Sequence, residues 1–221
     1  IFNDGGAYLA RQGAVRATLV LDWLHSAGLL QNTIAVFVNP GNPAEPHIPP
    51  APIESYGPRE AQRSWEYDRL TADYGRFLVE DILPLAETSL DCRISPEAAD
   101  RIICGISSGG IAAFNAAWHF PKAFGNVISH CGSFTNIWGG HHFPYLVRSS
   151  PRKPIRVFLQ SGENDAQTLF GDWGLANKAM ASALQYAGYE MRFEFGTGGH
   201  TLKHAGACFS EALRWIWSID G

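Results

Sequence analysis

The chain has 221 residues, 46% of them hydrophobic and 17% charged, which suits one globular domain, residues 1–221, with a sizeable core. A formal net charge of -4 argues against the basic surface that nucleic acid or an anionic membrane would require. No apolar run reaches membrane-spanning length, which argues against membrane insertion.

The opening "IFNDGG" reads as the end of a strand running into a turn at Asp4-Gly5-Gly6, which predicts further sequence upstream, with strands and a targeting signal as its expected content. Residues 33–39, "TIAVFVN", are expected to form a buried strand. The Pro-rich stretch 40–58 must be loop, because proline lacks the donor that helices and inner strands need. Residues 64–83 carry apolar positions at helical spacing, and the helix is expected to stop at Pro84.

From residue 101 onward, strands and helices alternate. "RIICGI" is a strand, residues 108–118 a helix, "NVISHC" and "IRVFLQSG" strands, and residues 173–187 a helix. "EMRFEF" is a strand, and residues 204–218 form the last helix. This order indicates an α/β fold, a mostly parallel sheet covered by helices on both faces. Ligands of such sheets bind beyond the carboxyl ends of the strands.

At one of those ends, Gly105-Ile106-Ser107-Ser108-Gly109 fits G-x-S-x-G between a strand and a helix. A sharp turn there strains the serine backbone and lifts its hydroxyl above the sheet, while glycines avoid collisions with neighbouring elements. A plain glycine-rich bend is the structural alternative. As nucleophile, Ser107 needs a general base, and the base needs an orienting carboxylate. His200 follows "FEFGTGG" at a strand end and is the candidate base. His200 and His204 at a spacing of four could also share a helix face as zinc ligands, but no acid accompanies them in the H-E-x-x-H manner, and no metal or other cofactor is expected.

The acid should leave a strand between serine and histidine. "VFLQSGENDAQ" offers Asp165 first, with Asp172 second and Glu163 third, and capping of the next helix is the bland role for any of them. For the oxyanion, the Ser108 N–H at the helix start and the Gly6 N–H in the early turn are the candidate donors. The aromatic stretches "FTNIWGGHHFPY" and "TLFGDW", with Trp138, His141 and Trp173, are candidate walls of a substrate pocket. Arg63 is a candidate for an anionic or sugar group, with an ion pair to Glu66 three residues along as the alternative. Four scattered cysteines, Cys92, Cys104, Cys131 and Cys208, show no metal spacing and leave one disulfide open.

Taken together, "NDGGAY", "GISSGGIAAFNAAWHFPKAFGNVISHCGSF", "SGEND" and "GGH" resemble the putative esterase family of α/β-hydrolases. That family includes esterase D, enterochelin esterases, and carbohydrate esterases acting on feruloyl and acetyl groups of xylan. The resemblance runs from Asp4 to the last helix. It implies Ser107 as nucleophile, Asp165 as acid, His200 as base, and Gly6 and Ser108 as oxyanion donors. Two departures stand out: the family's strands before the D-G turn are absent here, and "TLFGDW" looks inserted between acid and helix.

The activity implied is two-step acyl transfer to water, on feruloyl or acetyl esters of plant polysaccharide. A siderophore trilactone esterase, an acyltransferase and a non-catalytic binding module are the alternatives. A small-molecule or polysaccharide-linked ester is the implied partner. A polysaccharide esterase would be periplasmic or secreted, and a siderophore esterase cytoplasmic.

Overall fold

The computed structural model describes residues 1–41 and 58–218. The chain enters through β1 (Phe2–Asn3), α1 (Gly5–Leu9) and α2 (Ala17–Ser26) and reaches β2 (Phe37–Val38). Then come α3 (Pro58–Tyr67), α4 (Asp73–Phe77) and α5 (Leu83–Leu90), followed by β3 (Ile102–Ile106), α6 (Ser108–His119) and β4 (Asn126–His130). The last part comprises α7 (Phe143–Ser149), β5 (Arg156–Asn164), the short β6 (Gln167–Thr168) and β7 (Gly171–Asp172), α8 (Trp173–Tyr186), β8 (Met191–Gly199) and α9 (Leu202–Ile216).

Six strands form one sheet in the order β2-β1-β3-β4-β5-β8, every neighbouring pair parallel. Successive residues of each strand point to opposite faces, and the register keeps the two sets apart. Ile103, Val127 and Val157 pair side by side and pack into one apolar core. Their neighbours Cys104, Ile128 and Phe158 pair in turn and pack into a second. The first core takes in α6 and α8, and the second takes in α9 and part of α2, so the sheet is covered on both sides as the alternation predicts. Helix α6 is buried along nearly its whole length, which explains its run of Ala and Gly against the strands.

Several boundaries differ from the sequence reading. The expected strand at 33–39 is reduced to Phe37–Val38. The early Asp4-Gly5-Gly6 turn opens directly into α1, with Asp4 in the left-handed region at φ 53°. The expected helix over 64–83 is divided, and Pro84 does not end it. A π-helical turn at Leu78–Ile82 precedes α5, and Pro84 sits in the first turn of α5. The wider turn accommodates a residue that cannot donate to the carbonyl four positions back. The expected loop at 40–58 lies almost wholly outside the described residues. The stretch that looks inserted after Asp165 is an antiparallel ribbon, β6 paired with β7, with Leu169 79% exposed near its tip.

A cavity of about 510 Å³, lined by Leu29, Val36, Ile94 and Trp217 among others, touches Ile1 and Ile102 at the amino-terminal ends of β1 and β3. It touches none of the candidate catalytic residues, which lie past the carboxyl ends.

Candidate active site

Ser107 occupies the turn between β3 and α6 with φ 58° and ψ -123°, a backbone conformation that non-glycine residues rarely adopt. Two features hold it there. Its N–H donates to the His130 carbonyl at 2.9 Å, and its carbonyl accepts the Ser133 N–H at 3.0 Å, so β4 and the residues just after it grip both sides of the turn. Close backbone packing does the rest. A Cβ at Gly105 would lie 2.2 Å from the Gly109 carbonyl oxygen, and a Cβ at Gly109 would lie 2.7 Å from Asp4 Oδ2. The glycines of G-x-S-x-G are therefore steric requirements of this turn.

The carboxyl ends of β5 and β8 bring in the other two groups. Their register shifts between Gly162 and Asn164, so Gly162 faces Gly196 while Asn164 faces Gly199. Such an irregularity bends a strand end and re-aims the residues beyond it. Asp165 and His200 come directly after, and Asp165 Oδ1 accepts from His200 Nδ1 at 2.6 Å. On its other side, His200 Nε2 lies 2.9 Å from Ser107 Oγ. With Nδ1 protonated for the carboxylate, Nε2 is the acceptor and Ser107 the donor.

Three donors converge on the Asp165 carboxylate. Besides His200, Ser161 Oγ donates at 2.5 Å and the Ala166 N–H at 2.8 Å. Burial disfavours the charged form, but these hydrogen bonds outweigh it and hold the carboxyl below its ordinary range. Asp172, the second candidate, instead caps α8 by accepting the Leu175 N–H at 2.9 Å, and Glu163 is exposed on β5. The structure thus brings Asp165 to His200 and uses Asp172 as a cap.

The two candidate oxyanion donors sit differently. Ser108 opens α6, where the first N–H groups have no acceptor within the helix. The Gly6 N–H is engaged, donating to Asn39 Oδ1 at 3.0 Å. Its donor is therefore oriented toward an oxygen, and a substrate carbonyl would have to replace Asn39 there. Asn39 comes just after β2 and carried no motif that singled it out.

Arg63 pairs with neither a free anion site nor Glu66. Its guanidinium forms a fork on Asp4, with Nε to Oδ1 at 2.8 Å and Nη2 to Oδ2 at 2.7 Å. Glu66 instead accepts from the Gly41 N–H and Gln62. Since Asp4 directly precedes Gly5-Gly6, the fork ties α3 to the start of α1.

The aromatic stretches are only partly at the surface. Phe134 and Phe143 are core residues packed edge-on to Phe114, which removes them from the candidate pocket wall. Trp138 is half-buried, donates to Ser64 Oγ at 3.1 Å and meets Trp65 edge-on. His141 is exposed. Trp173 is 5% exposed, edge-on to the His200 ring at 5.7 Å, and its Nε1 donates to Ser133 Oγ at 3.1 Å.

The four cysteines are free thiols. Cys131 Sγ, an Asp165 oxygen and a His200 nitrogen lie within 4.8 Å of one another, but both imidazole nitrogens are already engaged by Asp165 and Ser107. His204, four residues beyond His200, has its Nδ1 3.0 Å from Gln160 Nε2.

The arrangement is a hydroxyl on a strained turn, an imidazole and a buried carboxylate in one hydrogen-bonded line. Comparison with known proteins finds esterases. The iron(III) enterobactin esterase of Dickeya dadantii (strain 3937) is 28% identical over 162 residues, covering 64% of this chain and 34% of that protein. The enzyme of the same name from Escherichia coli O6:H1 is 27% identical over 140 residues, 58% of this chain and 32% of that protein. The chain thus spans about a third of the length of these curated relatives.

Among solved structures, the enterobactin esterase from Shigella flexneri in the presence of enterobactin superposes with a TM-score of 0.74 at 20% identity, over 98% of this chain and 50% of that one. A ferulic acid esterase superposes with a TM-score of 0.55 at 20% identity, over 67% of this chain and 61% of that one. These likenesses are of fold, that of the α/β-hydrolases. The model of the family described as Putative esterase matches residues 11–216, and the chain belongs to that family.

Proposed function

We propose that this protein is a serine carboxylic-ester hydrolase acting through an acyl-enzyme, with Ser107 as nucleophile, His200 as general base and Asp165 as its orienting acid. The observation that carries this reading is the continuous line from Ser107 Oγ through His200 to Asp165, at 2.9 and 2.6 Å. In the first step Ser107 Oγ bonds to the ester carbon while its proton passes to His200 Nε2, and the carbonyl electron pair moves onto oxygen. The oxyanion is met by the Ser108 N–H and, once Asn39 is displaced, by the Gly6 N–H. Each such donor lowers the barrier by about 3 kcal/mol. The intermediate collapses as His200 protonates the departing alcohol. Water then repeats the sequence on the acyl-enzyme and restores Ser107.

For the substrate we propose an enterobactin-type siderophore ester ahead of a feruloyl or acetyl ester of plant polysaccharide. Two curated relatives carry the enterobactin name, and a structure of that name superposes over more of the chain than the ferulic acid esterase does. The polysaccharide reading keeps the support of that last superposition.

The test of mechanism is Ser107→Ala. It is expected to keep the fold, lose p-nitrophenyl acetate hydrolysis by a factor of about 10⁴ or more, and lose labelling by a fluorophosphonate probe. Near-normal turnover would refute the nucleophile assignment. For the substrate, kcat/KM on enterobactin, methyl ferulate and acetylated xylan is the comparison. A preference beyond about tenfold, or 1.4 kcal/mol, separates the classes.

A further inference from the structure

We infer that Ser133 is a further catalytic residue, a second hydroxyl that donates to the nucleophile oxygen and is itself aimed by the indole N–H of Trp173. The inference rests on the proposed role of Ser107 and deepens it. Ser133 Oγ lies 3.3 Å from Ser107 Oγ, and Trp173 Nε1 lies 3.1 Å from Ser133 Oγ. Ser133 is 1% exposed, so water competes little for its hydroxyl.

The direction of each bond is set by what each group can do. An indole N–H only donates, so Ser133 Oγ accepts there. The Ser107 proton is directed to His200 Nε2, the acceptor left once Nδ1–H serves Asp165. Ser107 Oγ is then an acceptor toward Ser133, and the single Ser133 proton points at it. The result is one chain of donors: Trp173 Nε1–H to Ser133, Ser133 O–H to Ser107, Ser107 O–H to His200, and His200 Nδ1–H to Asp165.

This chain assigns every orbital of the attacking oxygen. One position carries the proton for His200, one lone pair receives Ser133, and the remaining lone pair is left for the ester carbon. Without Ser133 the hydroxyl keeps only the imidazole to orient it, and a poorly aimed nucleophile loses rate without losing substrate affinity. The same donor serves the second half of the reaction. As the acyl-enzyme breaks down, the C–O bond to Ser107 cleaves and its electron pair returns to Oγ. His200 delivers the proton there, and Ser133 stabilises the charge that develops before it arrives.

The surroundings hold Ser133 for this task. Its N–H bonds the Ser107 carbonyl, so the two residues are coupled through backbone as well as side chain. The preceding Gly132 carbonyl accepts from Asn177 Nδ2 at 2.9 Å, and Asn177 also bonds the Trp173 carbonyl at 2.9 Å. One residue of α8 thus fixes the relative positions of Ser133 and Trp173. Trp173 also lies edge-on to the His200 ring, so it supports the base and aims the second hydroxyl together.

The experiment is a double-mutant cycle with Ser133→Ala, Trp173→Phe and the pair, alongside wild type and Ser107→Ala. It reads kcat and KM on p-nitrophenyl acetate, the rate constant for fluorophosphonate labelling, and the melting temperature. Ser133→Ala is expected to lower kcat and the labelling rate together by about tenfold, with KM within about twofold. Trp173→Phe keeps a ring against His200 and removes only the donor; a loss of about threefold is expected, and it should vanish when Ser133→Ala is already present. Unchanged kcat and labelling in a folded Ser133→Ala overturn this inference and leave the Ser107 assignment standing. An effect of Trp173→Phe that persists undiminished on top of Ser133→Ala overturns the role of Trp173 in aiming Ser133. A wild type inert to both reagents overturns the esterase reading, and this inference with it.

Discussion

Two regions at the carboxyl end of the sheet each bury a carboxylate, and they treat it in opposite ways. Beneath the serine turn, Asp68 accepts a hydrogen bond from Ser64 Oγ at 2.8 Å and leaves its Oδ1 without a partner. Burial dominates, and its carboxyl is pushed up to about 6 despite the Ser64 bond, the nearby Arg63 charge and the nearby Ser108 hydroxyl. In the arm formed by the ends of β5 and β8, Asp165 is also buried but meets three donors, and its carboxyl is held down. Burial alone therefore does not set the charge of a carboxylate. The donors aimed at it weigh against burial, and at Asp165 they prevail. The serine turn is fixed mainly by packing and backbone bonds, and the arm by side-chain hydrogen bonds that define the state of its acid.

The sharpest way to break this comparison is to change the acid of the arm without changing its shape. Asp165→Asn keeps the size of the side chain but removes the charge and one acceptor. His200 is then favoured in the wrong tautomer, with Nε2 protonated and unable to take the Ser107 proton. A fall in kcat of about 10⁴, on the order of 5 kcal/mol of barrier, is expected. Stability changes as well, with a definite sign. Because the folded carboxyl is held below its ordinary value, its contribution is present above about pH 4 and lost as the pH falls further. Kinetics on p-nitrophenyl acetate at pH 7 with urea unfolding at about pH 2 and 7 reads both, and a variant within tenfold of wild type would sink the role of Asp165.

The turn is expected to fail differently. Gly105→Ala places a methyl group 2.2 Å from the Gly109 carbonyl oxygen, where only backbone movement relieves the clash. Strain of this kind costs about 3 kcal/mol, and the movement displaces Ser107. Reduced melting temperature together with slowed fluorophosphonate labelling is the expected pair. Asp165→Asn should slow labelling while leaving the pH 7 melting temperature closer to wild type. If Gly105→Ala proved as stable as wild type, packing would not be what holds the turn.

The two regions also differed in how far the sequence could disclose them. β3, α6, β4 and α8 stand close to where alternation and apolar spacing put them, because tertiary packing reinforces those local patterns. The serine turn was readable because its constraint is steric and leaves glycines at fixed offsets around Ser107. The arm was readable only to within a loop. "SGENDAQTLFGDW" carries three acids, and which one meets His200 depends on the β5–β8 register shift, which has no local signature. Ser133 and Asn39 were missed for a related reason. One is a serine in "CGSF" and the other an asparagine after a short strand, and their partners are 26 and 33 residues away. Arg63 had two local readings, and the partner it takes is Asp4, 59 residues away. Pro84 misled because the π-helical turn that accommodates it depends on context beyond propensity.

The remaining contrast, between the two carboxylates themselves, is open to a direct test through pH. Between about pH 4 and 6 folded Asp68 holds its proton while the unfolded chain has released it, so folding takes up protons. Stability supplied by this group therefore falls as the pH rises through that window. The loss amounts to on the order of 2–3 kcal/mol by pH 8. Asn cannot ionise, so Asp68→Asn removes this loss. The amide brings its own penalty, because one of its groups inherits the unpartnered position of Oδ1, but that penalty is the same at every pH. The quantity to measure is the difference in unfolding free energy between variant and wild type at pH 4, 6 and 8. It should shift in favour of the variant by about 2 kcal/mol from the lowest pH to the highest. Buried His130, whose imidazole burial lowers to about 3, contributes a slope of opposite sign over an overlapping window. Both proteins carry it, so it cancels in the difference. A difference that stays flat with pH would mean that Asp68 finds in solution the partners it lacks here, and that the two buried acids are alike after all.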